Sequence, residues 1–316
     1  MTANNTPVPT PGEDFMAAGE PGQQLAVEQL SDVETPDQWW QVIWSSRKAR
    51  IGIVVLAIYA LVAIFAPVIA PHDPLDGSFP PLAGASSTNW LGTTTSGQDI
   101  ASQLIYGSRI SLLVGLFGGL FATVIATVVG LTSGYAEGSL LDDGLSFLTN
   151  VFLVIPALPL IITLVAYSEV RGLWLIVGVV TVTSWAGAAR AKRAQIITLR
   201  NRDFVTAAKF SGEGTGRIVF REIMPNMSSL VLVSFVGAAT GAIGLEAALA
   251  ALGLGDSRNV SWGTMLYQAD QQGALAQGLW LWVFAPGAVL AILMTATTFI
   301  NFGVDLLSNP HLREDA

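Results

Sequence analysis

The chain contains no cysteine, which excludes disulfide frameworks, thiolate zinc sites, iron–sulfur clusters and cysteine nucleophiles. Its only two histidines, His72 and His311, lie far apart, so neither a histidine metal centre nor a hydrolytic triad is supported. No Gly-Lys pair occurs in the 316 residues, so the chain cannot bind ATP through a Gly-x-x-x-x-Gly-Lys-Ser/Thr loop. Charge is scarce too: 12% of residues are Asp, Glu, Lys or Arg, against about 25% in soluble domains. Apolar residues make up 52%, and that balance points to a polytopic membrane protein.

The charge that is present is unevenly spread. Residues 1–46 hold seven acids (Glu13, Asp14, Glu20, Glu28, Asp32, Glu34 and Asp37) and no Lys or Arg. Segment 1–38 reads as a disordered, solvated acidic cytoplasmic tail. The rest of the chain carries 15 basic and 16 acidic residues. No basic face for a polyanion is visible, so nucleic acid is not an expected partner.

A membrane-spanning helix needs about 20 predominantly apolar residues, because backbone in hydrocarbon must satisfy its own hydrogen bonds. Six stretches meet or approach that length: 51–70, 110–135, 145–168, 172–189, 229–254 and 279–304. The third carries Pro156 and Pro159, where a kink is expected; the sixth contains Pro286. Such kinks serve either as hinges or as packing features. With the N-terminus inside, cytoplasmic segments hold twelve Lys and Arg and external segments three, so both termini are expected inside. Residues 39–50, with Trp39, Trp40 and Trp44 followed by Arg47, Lys48 and Arg50, suit an amphipathic interfacial helix leading into the membrane domain 51–316. Trp280 and Trp282 read as an external aromatic belt. External segments are expected at 71–109 and 255–278.

The cytoplasmic segment 190–228 is too long for a simple connection. Asp203 can N-cap a short helix that ends at Gly212 in the left-handed conformation. Ala207 and Ala208 give that helix a small face, flanked by Phe204 and Phe210. A second helix over 217–224 would stop at Pro225. These residues alone leave two readings open: a helix pair lying under the bilayer, or a helix that docks into a groove of another protein. Glu246 is an acid within the fifth span; it lines a pathway, latches a neighbouring helix, or belongs to an external or re-entrant segment if the span ends early. Asp99 and Arg109, outside, could pair with each other or touch an external receptor.

The segment 203–225 resembles the Glu-Ala-Ala loop of ATP-binding-cassette importer permeases, whose Ala-Ala pair, following Gly and later Pro mark the coupling helix. Other motifs are similar to the second permease of dipeptide, oligopeptide and nickel importers. They are Phe65-Ala66-Pro67-Val68-Ile69-Ala70-Pro71-His72-Asp73-Pro74, Trp90-Leu91-Gly92-Thr93, Gly97-Gln98-Asp99 and Tyr106-Gly107-Ser108-Arg109. Gly134-Tyr135 with Asp142, then Pro156, Glu246 to Gly255, Ser261-Trp262-Gly263-Thr264-Met265 and Asn301-Phe302-Gly303-Val304-Asp305 follow in order. The likeness runs from about residue 39 to 313. The chain departs from the family at Thr206, where Glu is usual, and at Thr94 and Gln98, where Asp and Arg are usual. Phe147 and Asn150 likewise stand where Arg and Asp are common.

This resemblance implies an all-α, six-span permease of the type I importer fold, N-in and C-in, in a bacterial or archaeal plasma (inner) membrane. It implies a heterodimer with a homologous permease, two cytoplasmic ATPase subunits or one fused ATPase, and an external substrate-binding protein. Peptides are the expected cargo, with nickel chelates or another small solute as the alternative; an ion-gradient-driven secondary transporter is the rival class. No catalytic, metal or cofactor residue is expected in this chain, ATP and magnesium belonging to the partner ATPases. The expected coupling residues are Asp203, Thr206, Ala207, Ala208, Gly212 and Pro225. Glu246, Asn150 and Pro156 are pathway or gating candidates, and Asp99 and Arg109 receptor-contact candidates.

Overall fold

The computed structural model describes residue 44 and residues 46–169, 172–256 and 258–308, with backbone alone for 305–308. The acidic tail 1–38, residues 39–43 and 45 of the expected interfacial helix 39–50, Arg171 and the chain beyond 308 lie outside the described residues. All regular structure among the described residues is helical. Helix α1 (Arg47–Ile64) starts at Ser46, whose hydroxyl accepts from Ala49 N at 3.3 Å. It breaks at Phe65 and continues as α2 (Ala66–Ile69), with Pro67 in the first turn of α2, where a missing N–H costs nothing.

Helix α3 (Ile100–Tyr135) is the longest element and begins ten residues before the expected span. Hydropathy marks where the apolar stretch starts, whereas Asp99 caps the helix itself. A seam of small residues runs along α3. A side chain at Gly119 would meet the Ala239 backbone at 2.8 Å, and one at Gly130 would meet the Ala189 carbonyl oxygen at 2.8 Å. These close approaches bring α3 against α8 (Ser228–Leu249) and α6 (Leu173–Leu199), as small residues do between membrane helices.

Helices α4 (Leu140–Val154) and α5 (Ala157–Tyr167) are bent by 84° at Ile155–Pro156, where Pro156 is expected to kink the third stretch, whereas Pro159 lies inside α5. Helix α6 extends ten residues past the expected limit at 189, so Arg190, Lys192 and Arg193 are helical. After α7 (Asp203–Phe210), the expected second helix is one α turn, Thr215–Arg217, that widens into a π stretch, Ile218–Ile223. Pro225 then opens a 3₁₀ turn that leads into α8.

The segment after α8, expected to be external, contains a helix that hydropathy does not signal, α9 (Trp262–Gln271), started by a Ser261/Thr264 capping box. Helix α10 (Trp280–Ser308) closes the described chain. Trp280 is exposed and stacks on Phe284, as a belt residue would, but Trp282 is 1% exposed and lies in a core with Trp262, Met265 and Leu293. Trp282 is therefore a core residue: the return of α9 beneath α10 covers it.

By length and composition, four helices among the described residues can cross a membrane, or five if the bent pair α4–α5 counts as one span. Helix α1 has 18 residues and carries Arg47, Lys48 and Arg50 in its first turn, which keeps it outside that set.

Candidate coupling site and polar clusters

Helix α7 begins at Asp203, one residue earlier than the sequence implies, and Arg202 occupies the cap position without a side-chain bond. Asp203 is thus the first helical residue, where its charge still favours the helix N-terminus. Thr206 consequently falls one place past the capping-box position, and its hydroxyl bonds back to the Arg202 carbonyl at 3.3 Å. At the other end Gly212 adopts φ +76°. Its N–H donates to Lys209 O (3.0 Å), and Glu213 N–H donates to Ala208 O (3.1 Å). This 5→2 and 6→1 pair is a Schellman ending, and it requires the left-handed conformation that glycine adopts without strain.

The two faces of α7 differ. Val205 is buried, and Phe204 and Ala208 pack with it against Leu131, Ile196, Ile218 and Met227. Asp203, Thr206, Ala207 and Phe210, spaced i, i+3, i+4 and i+7, are exposed. Phe210 is 89% exposed. The Ala207–Ala208 pair is therefore split, with Ala208 inward and Ala207 outward, and the two phenylalanines point to opposite sides. Lys209 Nζ lies 5.8 Å from the centre of the Tyr135 ring, at the end of α3. Pro225 is exposed at the end of the π stretch, whose Ile218, Val219 and Ile223 anchor it inward.

A second cluster ties α3, α4 and α6 together. Arg193 on α6 grips the Asp142 carboxylate with Nε (2.8 Å) and Nη2 (2.7 Å). Ser133 Oγ (2.6 Å), Ser146 Oγ (3.0 Å) and Gly138 N (3.2 Å) also donate to it. A carboxylate held by a forked guanidinium and three further donors is well satisfied in its buried position. Two turns along α4, Asn150 Oδ1 accepts from Arg190 Nη2. Pro156, the other pathway candidate on this bent pair, is exposed at the break and serves as the N-cap of α5. The Arg193–Asp142 pair spans 51 positions, which no local pattern reveals; the one available signal was Asp142 itself, an acid at the head of an apolar stretch.

Glu246 lies on α8 with 1% exposure and accepts from Ser111 Oγ of α3 at 3.1 Å. The helix runs on to Leu249, so Glu246 is not in an external loop. It faces a cavity of about 10 Å³ shared with Asp256, Asn259, Ser261 and Thr264. Asp256, beyond the span, is bonded by Arg258 and Asn259. Burial works to raise its carboxyl, but the bonds from the Arg258 side chain and backbone and from Asn259 outweigh burial and hold it below the ordinary carboxylate value.

At the start of α3 Asp99 is fully buried. It accepts from Ser102 N (2.8 Å), Ser102 Oγ (2.6 Å) and Asn89 Nδ2 (3.0 Å). No ion pair joins it to Arg109 among the described residues. The carboxylate is consumed by the cap and presents nothing to a receptor, whereas Arg109 is exposed ten positions along α3. Thr94 and Gln98, two of the positions that depart from the family pattern, hold the same loop. Thr94 Oγ1 accepts from Ser96 N and Gln98 N, and Gln98 Oε1 accepts from Gln103 Nε2.

Comparisons with known proteins agree with this geometry. Residues 126–314, more than half of the chain, match the family described as the binding-protein-dependent transport system inner membrane component. Residues 37–83 match the N-terminal transmembrane domain of oligopeptide transport permease C. The chain is 34% identical to the dipeptide transport system permease protein DppC of Haemophilus influenzae over 292 residues, 89% of this chain and 97% of that one. It is 30% identical to the oligopeptide transport system permease protein OppC of Bacillus subtilis, over 85% of this chain and 88% of that one. With these matches and an all-helical, membrane-spanning architecture, the chain belongs to the family of binding-protein-dependent transport permeases, the membrane subunits of ATP-binding-cassette importers.

Proposed function

We propose that this chain is one of two membrane subunits of an ATP-driven peptide importer, with six spans and both termini in the cytoplasm. The observation that carries the reading is α7: a short helix fixed at the end of the long α6, one face packed on the core and the other exposed. In this reading Asp203, Thr206, Ala207 and Phe210 form the face that docks on an ATPase, while Ala208, Gly212 and Pro225 set the shape of the segment. Thr206 offers its partner a hydroxyl where relatives of the same family offer a carboxylate.

The work of the chain is mechanical. ATP and magnesium bind the partner ATPases, whose closure draws the coupling helices of the two permeases together. Helix α6 joins α7 through only three residues, 200–202, so displacement of α7 is carried into the membrane as motion of a rod. The Arg193–Asp142 grip passes it to the bent pair α4–α5, and Glu246 with Ser111 latches α8 to α3. A population shift between inward- and outward-open states follows from the differential affinity of nucleotide for the closed ATPases. Arg109 is available to an external substrate-binding protein.

Mild-detergent affinity purification of the chain with mass spectrometry tests this. Recovery of a homologous permease together with ATPase subunits supports the assignment. A homo-oligomer free of any ATPase overturns it. Uptake of labelled di- and oligopeptides, compared with nickel chelates, in a strain lacking the chain identifies the cargo.

A further inference from the structure

Beside the Arg193–Asp142 grip lies a cavity of about 120 Å³, lined by Ser133, Ser146, Thr149, Asn150, Arg190 and Arg193 together with small apolar residues. The charges on its wall do not cancel. Asp142 is engaged by Arg193, and Arg190 has an amide, Asn150, where a carboxylate would neutralise it. A guanidinium carries five N–H donors, and one of those of Arg190 is used, on Asn150. That bond takes the Asn150 oxygen, so its NH₂ group is oriented away with two donors to offer, and no acceptor for them is bonded among the described residues. The cavity therefore offers an excess of N–H donors and one net positive charge, the hydroxyls of Ser146 and Thr149 being already donated to Asp142 and to the Leu145 carbonyl. The next acid on the outer face of α4, Asp143, is seven residues from Asn150, about 10 Å along the axis.

The depth of this cavity is set by α6. Residues 173–189 are uncharged and cover about 25 Å as helix, close to the thickness of a bilayer's hydrocarbon core. Arg190 thus stands where hydrocarbon gives way to lipid headgroups. On α4, Phe147 and Val154 are 71% and 81% exposed and share the Asn150 face at i−3 and i+4, presenting apolar surface directly beside the charged mouth.

We propose that Arg190, Asn150 and Arg193 form an oxyanion subsite that takes a phosphate group, either of an anionic phospholipid or free in solution. A phosphate there accepts from Arg190 and from the Asn150 amide and supplies the negative charge that the wall lacks. It also bridges α4 to α6 at the level from which α6 runs down to the coupling helix, so occupancy ties the bent pair to the same rod that α7 moves. The proposal rests on the lining residues and does not depend on the cargo.

Asn150→Asp provides the sharp test, because it gives Arg190 a carboxylate of the chain's own and fills the site from within. The full-length chain in detergent is titrated with phosphatidylglycerol, phosphatidylcholine and inorganic phosphate, and bound ligand is read by native mass spectrometry. Thermal unfolding without ligand shows that each variant is folded. Phosphatidylglycerol is expected to bind the wild type about tenfold more tightly than N150D or R190Q, the loss of one charge-assisted hydrogen bond, with phosphatidylcholine showing no such difference. Saturation by inorganic phosphate in the wild type but not in N150D supports the same site with a soluble ligand. Equal binding of every probe to wild type and N150D, or no binding to the wild type, overturns the proposal.

Discussion

The two ends of this molecule are built in opposite ways. At the end that carries Asp99 the chain bonds chiefly to itself. Asp99 is buried under three donors, Ser102 Oγ accepts from His72 N at 3.0 Å, and Trp262 donates to Leu104 O at 2.9 Å while packing edge-on to Tyr59. At the opposite end α7 and the π stretch leave Phe210 and Phe220 exposed, at 89% and 64%, with the cations Arg202, Lys209 and Arg221 also at the surface. In the proposed importer, this asymmetry suits a subunit that receives one partner transiently and holds another through each cycle. The closed end around Asp99 resists deformation, and on that proposal the open end around α7 is completed by the ATPase that docks on it.

Substitutions can break this contrast in a graded way. Ala207→Trp places a large ring on the exposed face of α7; uptake is expected to be abolished while the unfolding temperature of the isolated chain stays unchanged, and ATP-driven uptake at the normal rate would remove α7 from the interface. Trp262→Ala does the reverse. Emptying the fully buried site costs about 3–5 kcal/mol, read as a large fall in unfolding temperature and in yield of folded protein. Asp99→Ala strips a buried cap and leaves Asn89 and Ser102 without their acceptor; about 1–2 kcal/mol of stability is expected to go, with Asp99→Asn recovering part of it. Gly212→Ala meets no steric contact, so only the left-handed backbone penalises it, by about 1 kcal/mol, and Gly212→Asn should cost less.

The smallest effect concerns pH. The folded Asp256 carboxyl sits below its ordinary value, so its contribution is fully present above the ordinary carboxylate range, about pH 4. That contribution is lost as pH falls through the depressed folded value. Asp256→Asn should flatten this part of the acid limb of an unfolding-temperature profile. An unchanged limb would place the acid sensitivity elsewhere. Arg258 is largely exposed, so solvent screens the pair and the increment is modest.

What the sequence made legible was governed by local chemistry. Pro156 separates α4 from α5, Gly212 ends α7 and Pro225 follows the π stretch and opens a 3₁₀ turn because each acts on its own backbone. The helix limits at Ile100 and Leu199 were hidden because hydropathy records the edge of the bilayer, while helices continue wherever capping and packing allow. Lys192 and Arg193 are good helix formers, and they extend α6 past the lipid without interruption. The clusters around Asp142 and Glu246 were hidden for a different reason. Their partners lie 51 and 135 positions away, and only the folded packing of α3, α4, α6 and α8 brings them together. Helix α9 was missed because its signal is a capping box rather than an apolar run.

The glycine seam of α3 bears on how the protein is made. The ribosome delivers α3 to the bilayer before α6, and α6 before α8, so for a period α3 stands in lipid with its smallest surfaces bare. Gly118, Gly119 and Gly130 leave its backbone open to close approach by any neighbouring helix until the matching alanines of α6 and α8 arrive. A larger residue at Gly119 would therefore act twice, by blocking the final fit and by leaving an unfinished chain unpaired for longer and open to misassembly during synthesis.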